Sequence, residues 1–168
     1  MKKILIAYFS LTGTTKKMAE YIAEGVRISG QQVTIKKVSD IKSVEELAGY
    51  DGYIFGSPTY HRDMAEPMKT FLFLVRKANL EGKLGGAFGS YTHDGNAPEM
   101  IFNTMQYVFK MELFELGSLN ILEALLEKRG RGEPDTQRYI AGEAHGEVDE
   151  GMHTCHDYGR VFGETLKD

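Results

Sequence analysis

Three short apolar runs limit what this chain can become. They are ILIAYF (4–9), GYIFGS (52–57) and LGGAFGS (84–90), and each leads through a small polar loop into a stretch of helical period. A strand apolar at every position must be covered on both faces, which is the habit of parallel strands between helix layers. Strands are expected at 3–9, 32–38, 52–57, 84–90 and 113–119, the second at or near an edge because QVTIKKV alternates only weakly. The stretch ILEALLEK (121–128) after the last of these also fits a helix. Helices are expected at 14–29, with Ala19, Ile22, Ala23 and Val26 inward and Gly30 as the stop, and from Pro67, continued by Met68, Phe71, Leu72 and Val75. Others are expected from Pro98, with Ile101, Met105, Val108 and Phe109 inward, and at 149–166, with Met152, Tyr158, Phe162 and Leu166 inward. A short helix fits 45–48, and the glycines of 84–90 suggest close packing. Strands alternating with helices give an α/β fold: a doubly wound five-stranded parallel sheet of order 2-1-3-4-5 with helices on both faces.

A length of 168 residues suits one domain spanning 1–168. Residues 127–148, rich in charge and glycine, read as a long loop or small excursion. The net charge of −4 gives no electrostatic reason to expect nucleic acid or an anionic membrane as a partner. The one cysteine, Cys155, allows no internal disulfide and suits a reducing compartment. The apolar run after Lys2-Lys3 is short and lacks a cleavage site, so it reads as a first strand, and FLFLV (71–75) is too short to span a bilayer. A cytoplasmic protein is expected.

In an open parallel sheet, ligands bind beyond the carboxyl ends of the strands where the winding reverses. SLTGTT (10–15) leaves the first strand at that point. A helix N-terminus offers backbone N–H groups and partial positive charge. Ser10, Thr12, Thr14 and Thr15 add hydroxyl donors, and Gly13 permits a tight turn, so the loop suits a phosphate monoester without needing a cation. It lacks the Lys-Ser/Thr of a Walker loop and the three spaced glycines of a dinucleotide fingerprint. The competing reading is simpler: the hydroxyls only cap a helix.

Two further loops leave the same sheet edge, GSPTYHRD (56–63) and GSYTHDGNAP (89–98). Each presents a tyrosine, Tyr60 and Tyr91, among small polar residues. The pair could sandwich a flat ring whose polar edge meets backbone at Thr59, Thr92 and Gly95; taken singly, each is an ordinary loop aromatic. Phosphate at one end and a stacked ring at the other describe a mononucleotide with a large heterocycle.

SLTGTT matches the T/S-x-T-G-x-T phosphate loop of the flavodoxin family. GSPTY and KLGGAFGSY are similar to that family's two ring-binding loops, especially in the flavodoxin domain of flavodiiron proteins, and DEGMHTCHDYGRVFGETL resembles its last helix. The similarity spans about residues 3–113 and 149–167. It implies a flavodoxin-like three-layer α/β/α fold and flavin mononucleotide (FMN) as cofactor. By resemblance, Ser10, Thr12, Gly13, Thr14 and Thr15 bind the phosphate, while Ser57, Pro58, Thr59, Tyr60, Ser90, Tyr91, Thr92 and Gly95 line the ribityl chain and isoalloxazine.

The family resemblance implies an electron carrier working with redox partner proteins. The alternative is an FMN-dependent NAD(P)H:quinone oxidoreductase, with a quinone as small acceptor. Many carriers have a glycine beside the ring-stacking residue of the second loop. Here Tyr60 is followed by His61, Arg62 and Asp63, and residues with a Cβ resist positive φ. Arg62 either stabilises a reduced, anionic flavin or is a solvated arginine paired with Asp63. The loop at 127–148 is loosely similar to one in the quinone reductases. His145, Glu147 and Asp149 superficially match the metal run of flavodiiron proteins, with His153, Cys155 and His156 close behind, but the reading favoured is no metal, because the diiron domain itself is absent. A phosphorylatable receiver domain shares the strand order but needs aspartates where this chain has Ser10 and Ser57. Met100, Met105 and Met111, with the 71–75 run, make a homo-oligomer conceivable, although each also fits a helix core.

Overall fold

The computed structural model describes residues 1–126 and 150–167. In chain order the strands are β1 (Lys3–Tyr8), β2 (Gln32–Lys37), β3 (Gly52–Gly56), β4 (Thr59–Tyr60), β5 (Asp63–Met64), β6 (Leu84–Tyr91), β7 (Glu112–Leu113) and β8 (Leu119–Leu122). The helices are α1 (Thr14–Ile28), α2 (Glu66–Val75), α3 (Ala97–Tyr107) and α4 (Glu150–Thr165). The main sheet runs β2-β1-β3-β6, with β7 and β8 both pairing the far side of β6, and every pair is parallel. This is the expected doubly wound order, with the fifth strand supplied in two pieces and β2 at the edge.

Side-chain alternation along buried strands divides the core in two. Ile4, Ile6, Tyr8 and Ile54 face α1 and α4, meeting Met18, Ile22, Val26, Tyr158 and Phe162. Leu5, Ala7, Tyr53 and Phe55 face the other layer, meeting Met68, Phe71, Val75, Ile101 and Met105. Helices α1 and α4 touch backbone to backbone. A Cβ on Gly159 would lie 1.9 Å from the Ile22 carbonyl oxygen, and one on Gly25 would lie 2.0 Å from that of His156. Within β6, Gly86 lies beneath Tyr158 and Phe162, the close packing its glycines suggested.

The fifth strand departs from expectation. Between Leu113, paired with Gly85, and Leu119, paired with Phe88, the chain uses six steps against three on β6. The expected strand at 113–119 is therefore interrupted. The Phe114 ring turns into the core, with its centroid 5.0 Å from both Tyr158 and Phe162. Gly117, at φ 77, closes a turn by donating its N–H to Phe114 O at 2.9 Å. Pairing resumes at Leu119, so Ile121 and Leu122 belong to β8, and the helix alternative shrinks to a 3₁₀ turn at Glu123–Leu125.

Smaller differences have similar causes. Val108, expected inward, is 51% exposed while Phe109 is buried. Helix α3 stops at Tyr107, and Val108 and Phe109 both donate to Thr104 O, so the 3.6-residue period no longer places Val108. Met152 and Leu166 are only half-buried near the ends of α4. The short helix is a 3₁₀ turn, Val44–Leu47, held by a Ser43–Glu46 capping box. The apolar surplus that suggested self-association is mostly core. Met105, Met111, Phe71, Leu72 and Val75 are buried, leaving Phe73 and Met100 exposed.

Candidate functional site

Parallel register brings the chain's polar loops to one edge. Tyr8 pairs with Gly56, Gly56 with Phe88, and Tyr91 with Leu122. Two bonds carry the ladder past the strand ends, Phe9 N–H to Gly56 O at 3.0 Å and Ser57 N–H to Phe88 O at 3.1 Å. SLTGTT, the segment 57–65, the segment 91–96 and the end of β8 therefore emerge together.

The first loop bears on the capping reading of its hydroxyls. Gly13 is the N-cap of α1, at φ 97, and among the described residues no side chain caps the helix. The hydroxyls face elsewhere. Ser10 Oγ accepts from Gly13 N–H at 3.1 Å, which tightens the turn. Thr15 Oγ1 meets Ser90 Oγ at 3.1 Å, tying the loop to β6. Thr12 is exposed, 3.4 Å from the hydroxyl of half-buried Thr14, and Thr14 Oγ1 donates to Glu123 Oε1 at 2.9 Å. Among the described residues no side chain accepts from the first-turn N–H groups of α1, an arrangement compatible with an anion at the helix start. A groove of about 480 Å³ runs along the β2 side of the loop, with Lys16 and Lys37 on its walls.

The second loop contains a hairpin that sequence reading left as plain loop. Strands β4 and β5 pair Tyr60 with Asp63, and His61 and Arg62 between them take φ 50 and 63. Positive φ at both central positions is the signature of a type I′ turn, normally given to Asn or Gly. Both residues thus occupy the region that a Cβ resists. The pull of the hairpin and its anchors outweighs a left-handed cost of about 1–2 kcal/mol per residue. Buried Ser57 is one such anchor: its Oγ accepts from Ala65 N–H at 3.0 Å and donates to Pro58 O at 2.9 Å. Lys69 pairs with Asp63, whose carboxyl it holds below the ordinary value. Arg62 pairs not with Asp63 but with Asp94 on the third loop, Nε to Oδ2 at 3.2 Å.

Other bonds join the ring loops. Thr59 Oγ1 accepts from Ala97 N–H at 3.0 Å at the start of α3. Asn120 Nδ2 donates to Gly95 O at 2.6 Å. A Cβ on Gly95 would lie 1.7 Å from that amide, so the residue must be glycine for Asn120 to hold the loop. Tyr60 is 38% exposed and Tyr91 half-buried; Thr92 is exposed, and Pro58 is buried beside Ser57. Desolvation, then the Glu123 charge, raises the pKa of the Tyr60 hydroxyl.

Asn120 and Glu123 are the site residues that sequence reasoning missed. Asn120 lies in β8 and Glu123 directly after it, and the signal was available: a strand drawn to Leu122 brings them toward this edge, whereas one ending at 119 hides them.

The flavodoxin domain model matches residues 5–145. This chain belongs to the flavodoxin domain family. Among solved structures, a flavodoxin from the domain Archaea is 28% identical, covers 99% of each chain and superposes with a TM-score of 0.79. Flavodoxin 2 from Bacillus cereus is 25% identical over 98% of this chain and 99% of its own, with a TM-score of 0.74. The flavodiiron protein from Giardia intestinalis, 18% identical, shares the fold over 98% of this chain and 36% of its own length, with a TM-score of 0.75.

Of the possible metal ligands, Cys155 and His156 lie on α4 among the described residues. His156 Nε2 pairs with Glu24 at 2.5 Å on the α1–α4 face, and Cys155 is buried there, with its thiol pKa pushed up by burial. No group of three potential ligands gathers among the described residues. His145, Glu147, Asp149 and the 127–148 loop lie outside those residues. No helix of the described residues is long and apolar enough to cross a membrane.

Proposed function

We propose that this flavodoxin-family chain binds FMN at the described edge and carries electrons between redox partner proteins. One observation carries the reading. Among the described residues the start of α1 has no side-chain cap, and its hydroxyl-rich, uncharged loop emerges beside two tyrosine-bearing loops. Backbone N–H groups of 14–16 with the hydroxyls of Ser10, Thr12, Thr14 and Thr15, around the turn at Gly13, would hold the phosphate. Ser57, Pro58, Thr59 and Ser90 would border the ribityl chain. Tyr60, Tyr91, Thr92 and Gly95 would hold the ring. The bound flavin would supply the redox chemistry; these residues orient it and exclude water. The single cysteine fits the reducing compartment proposed, the cytoplasm.

The test is absorbance followed by titration. Purified protein is expected to be yellow, or to quench added FMN stoichiometrically, and to be reduced in two resolved one-electron steps. Colourless protein with no affinity for FMN overturns the cofactor; a single two-electron step overturns the carrier role. The quinone reductase alternative loses one support, because Arg62 is engaged with Asp94. Turnover of NAD(P)H with a benzoquinone above that of free flavin would restore it.

A further inference from the structure

The Thr14 hydroxyl has one proton to donate, and in this structure a carboxylate takes it. Glu123 Oε1 accepts from Thr14 Oγ1 at 2.9 Å. The contact joins residues 109 apart in sequence, and it places a formal negative charge beside a loop otherwise free of charge. The backbone that carries Glu123 is held from both sides. Ile121 and Leu126 are buried in the α1–α4 core. Lys17 Nζ, one turn into α1, donates to Leu126 O at 2.9 Å. The approach of α4 closes the rest: a Cβ on Gly151 would lie 2.6 Å from Leu125 O. The segment is thus pinned against the phosphate loop, and only the Glu123 side chain is free to turn.

An anion already bonded to Thr14 occupies the donor that a phosphate would use. If it stays, it repels a phosphate dianion; if it turns out to solvent, a charge-assisted hydrogen bond is lost. Either way the phosphate binds less tightly than the loop alone would allow. A flavin with no phosphate meets neither cost.

We propose that Glu123 is a built-in competitor for the phosphate loop, and so tunes the selectivity of this site among flavins. The inference rests on the flavin reading above and adds a residue to it. A ligand with a dianionic monoester must displace or tolerate the Glu123 carboxylate, whereas a ligand with a neutral ribityl tail need not. The site therefore prefers FMN over riboflavin by less than its hydroxyl loop would give unopposed.

The experiment compares Glu123→Gln and Glu123→Ala with the wild-type chain, using FMN and riboflavin titrated by fluorescence quenching. Both substitutions are expected to tighten FMN by about three- to tenfold and to leave riboflavin within about twofold. Equal changes for the two flavins, or no change for FMN, overturn the competitor role while leaving the flavin reading intact. Inorganic phosphate supplies an arm that needs no flavin. Its stabilising shift in Tm is expected to appear at lower phosphate concentration in both variants than in wild type. Equal phosphate dependence overturns the proposal even if flavin binds. If no protein binds either flavin, the flavin reading falls and the phosphate arm alone decides the role of Glu123.

Discussion

The SLTGTT loop and the Thr59–Met64 hairpin lie at the same sheet edge but are held in opposite ways. The first puts its left-handed backbone on Gly13, where it is free, and closes with a local bond from Gly13 N–H to Ser10 Oγ. The second puts left-handed backbone on His61 and Arg62, where it costs energy, and keeps it there with partners from elsewhere. Asp94 pairs with Arg62, Lys69 with Asp63, and Ser57 brackets the base of the loop. The turn of the first loop is closed by its own residues, although Thr14 and Thr15 also tie it to Glu123 and Ser90, whereas the turn of the second is held by its neighbours. A loop of the first kind can be recognised from six letters. A loop of the second kind cannot, because what holds it lies outside its own sequence.

The largest effect expected from this contrast is in the first loop. Gly13→Val places a β-branched residue at φ 97 and should break the turn that points N–H groups at the phosphate. FMN affinity should fall on the order of a hundredfold, about 2.7 kcal/mol, measured by fluorescence titration. Riboflavin affinity should change much less; an equal loss of both would mean that Gly13 serves the whole site and not its phosphate end. Next come the rings. Tyr60→Ala and Tyr91→Ala should each weaken FMN and riboflavin alike, by about five- to tenfold, as expected for about 1 kcal/mol of stacking. A loss confined to FMN would break the division of labour between the loops.

A smaller effect, opposite in sign, tests strain in the hairpin. His61→Gly should stabilise the fold by about 0.5–1 kcal/mol, since relief of left-handed backbone exceeds the added entropy of an unfolded glycine. A lower denaturation midpoint in urea would show that the turn is not strained at His61. The smallest effect is the pH dependence of Asp63. Lys69 holds its folded pKa below the ordinary 3.8, so its contribution is present above that value and is lost as pH falls through the depressed folded value. Asp63→Asn should flatten the acid limb of the stability profile there and leave stability at neutral pH little changed, because the pair is partly exposed.

The same distinction governs what was legible beforehand. Strands β1, β3 and β6 were readable because continuous burial leaves an unbroken apolar record. The turn of the SLTGTT loop was readable because Gly13 and Ser10 act locally. The fifth strand was misjudged because Phe114 turns toward Tyr158 and Phe162, rings from the far end of the chain, and takes the backbone out of the ladder. That displacement hid Asn120 and Glu123. One of the two readings of Arg62 pairs it with Asp63, its sequence neighbour, whereas its partner Asp94 lies 32 residues away.

By itself the sequence determined the layering, the strand order and the tight turn at Gly13, because these follow from side-chain periodicity and from backbone preferences of single residues. Only the tertiary structure decided that α1 lacks a side-chain cap, that His61 and Arg62 occupy left-handed backbone, and that Glu123 reaches Thr14. Those outcomes depend on which groups end up within bonding distance across the sheet edge. Short-range preference has no access to a partner more than a hundred residues away; packing does.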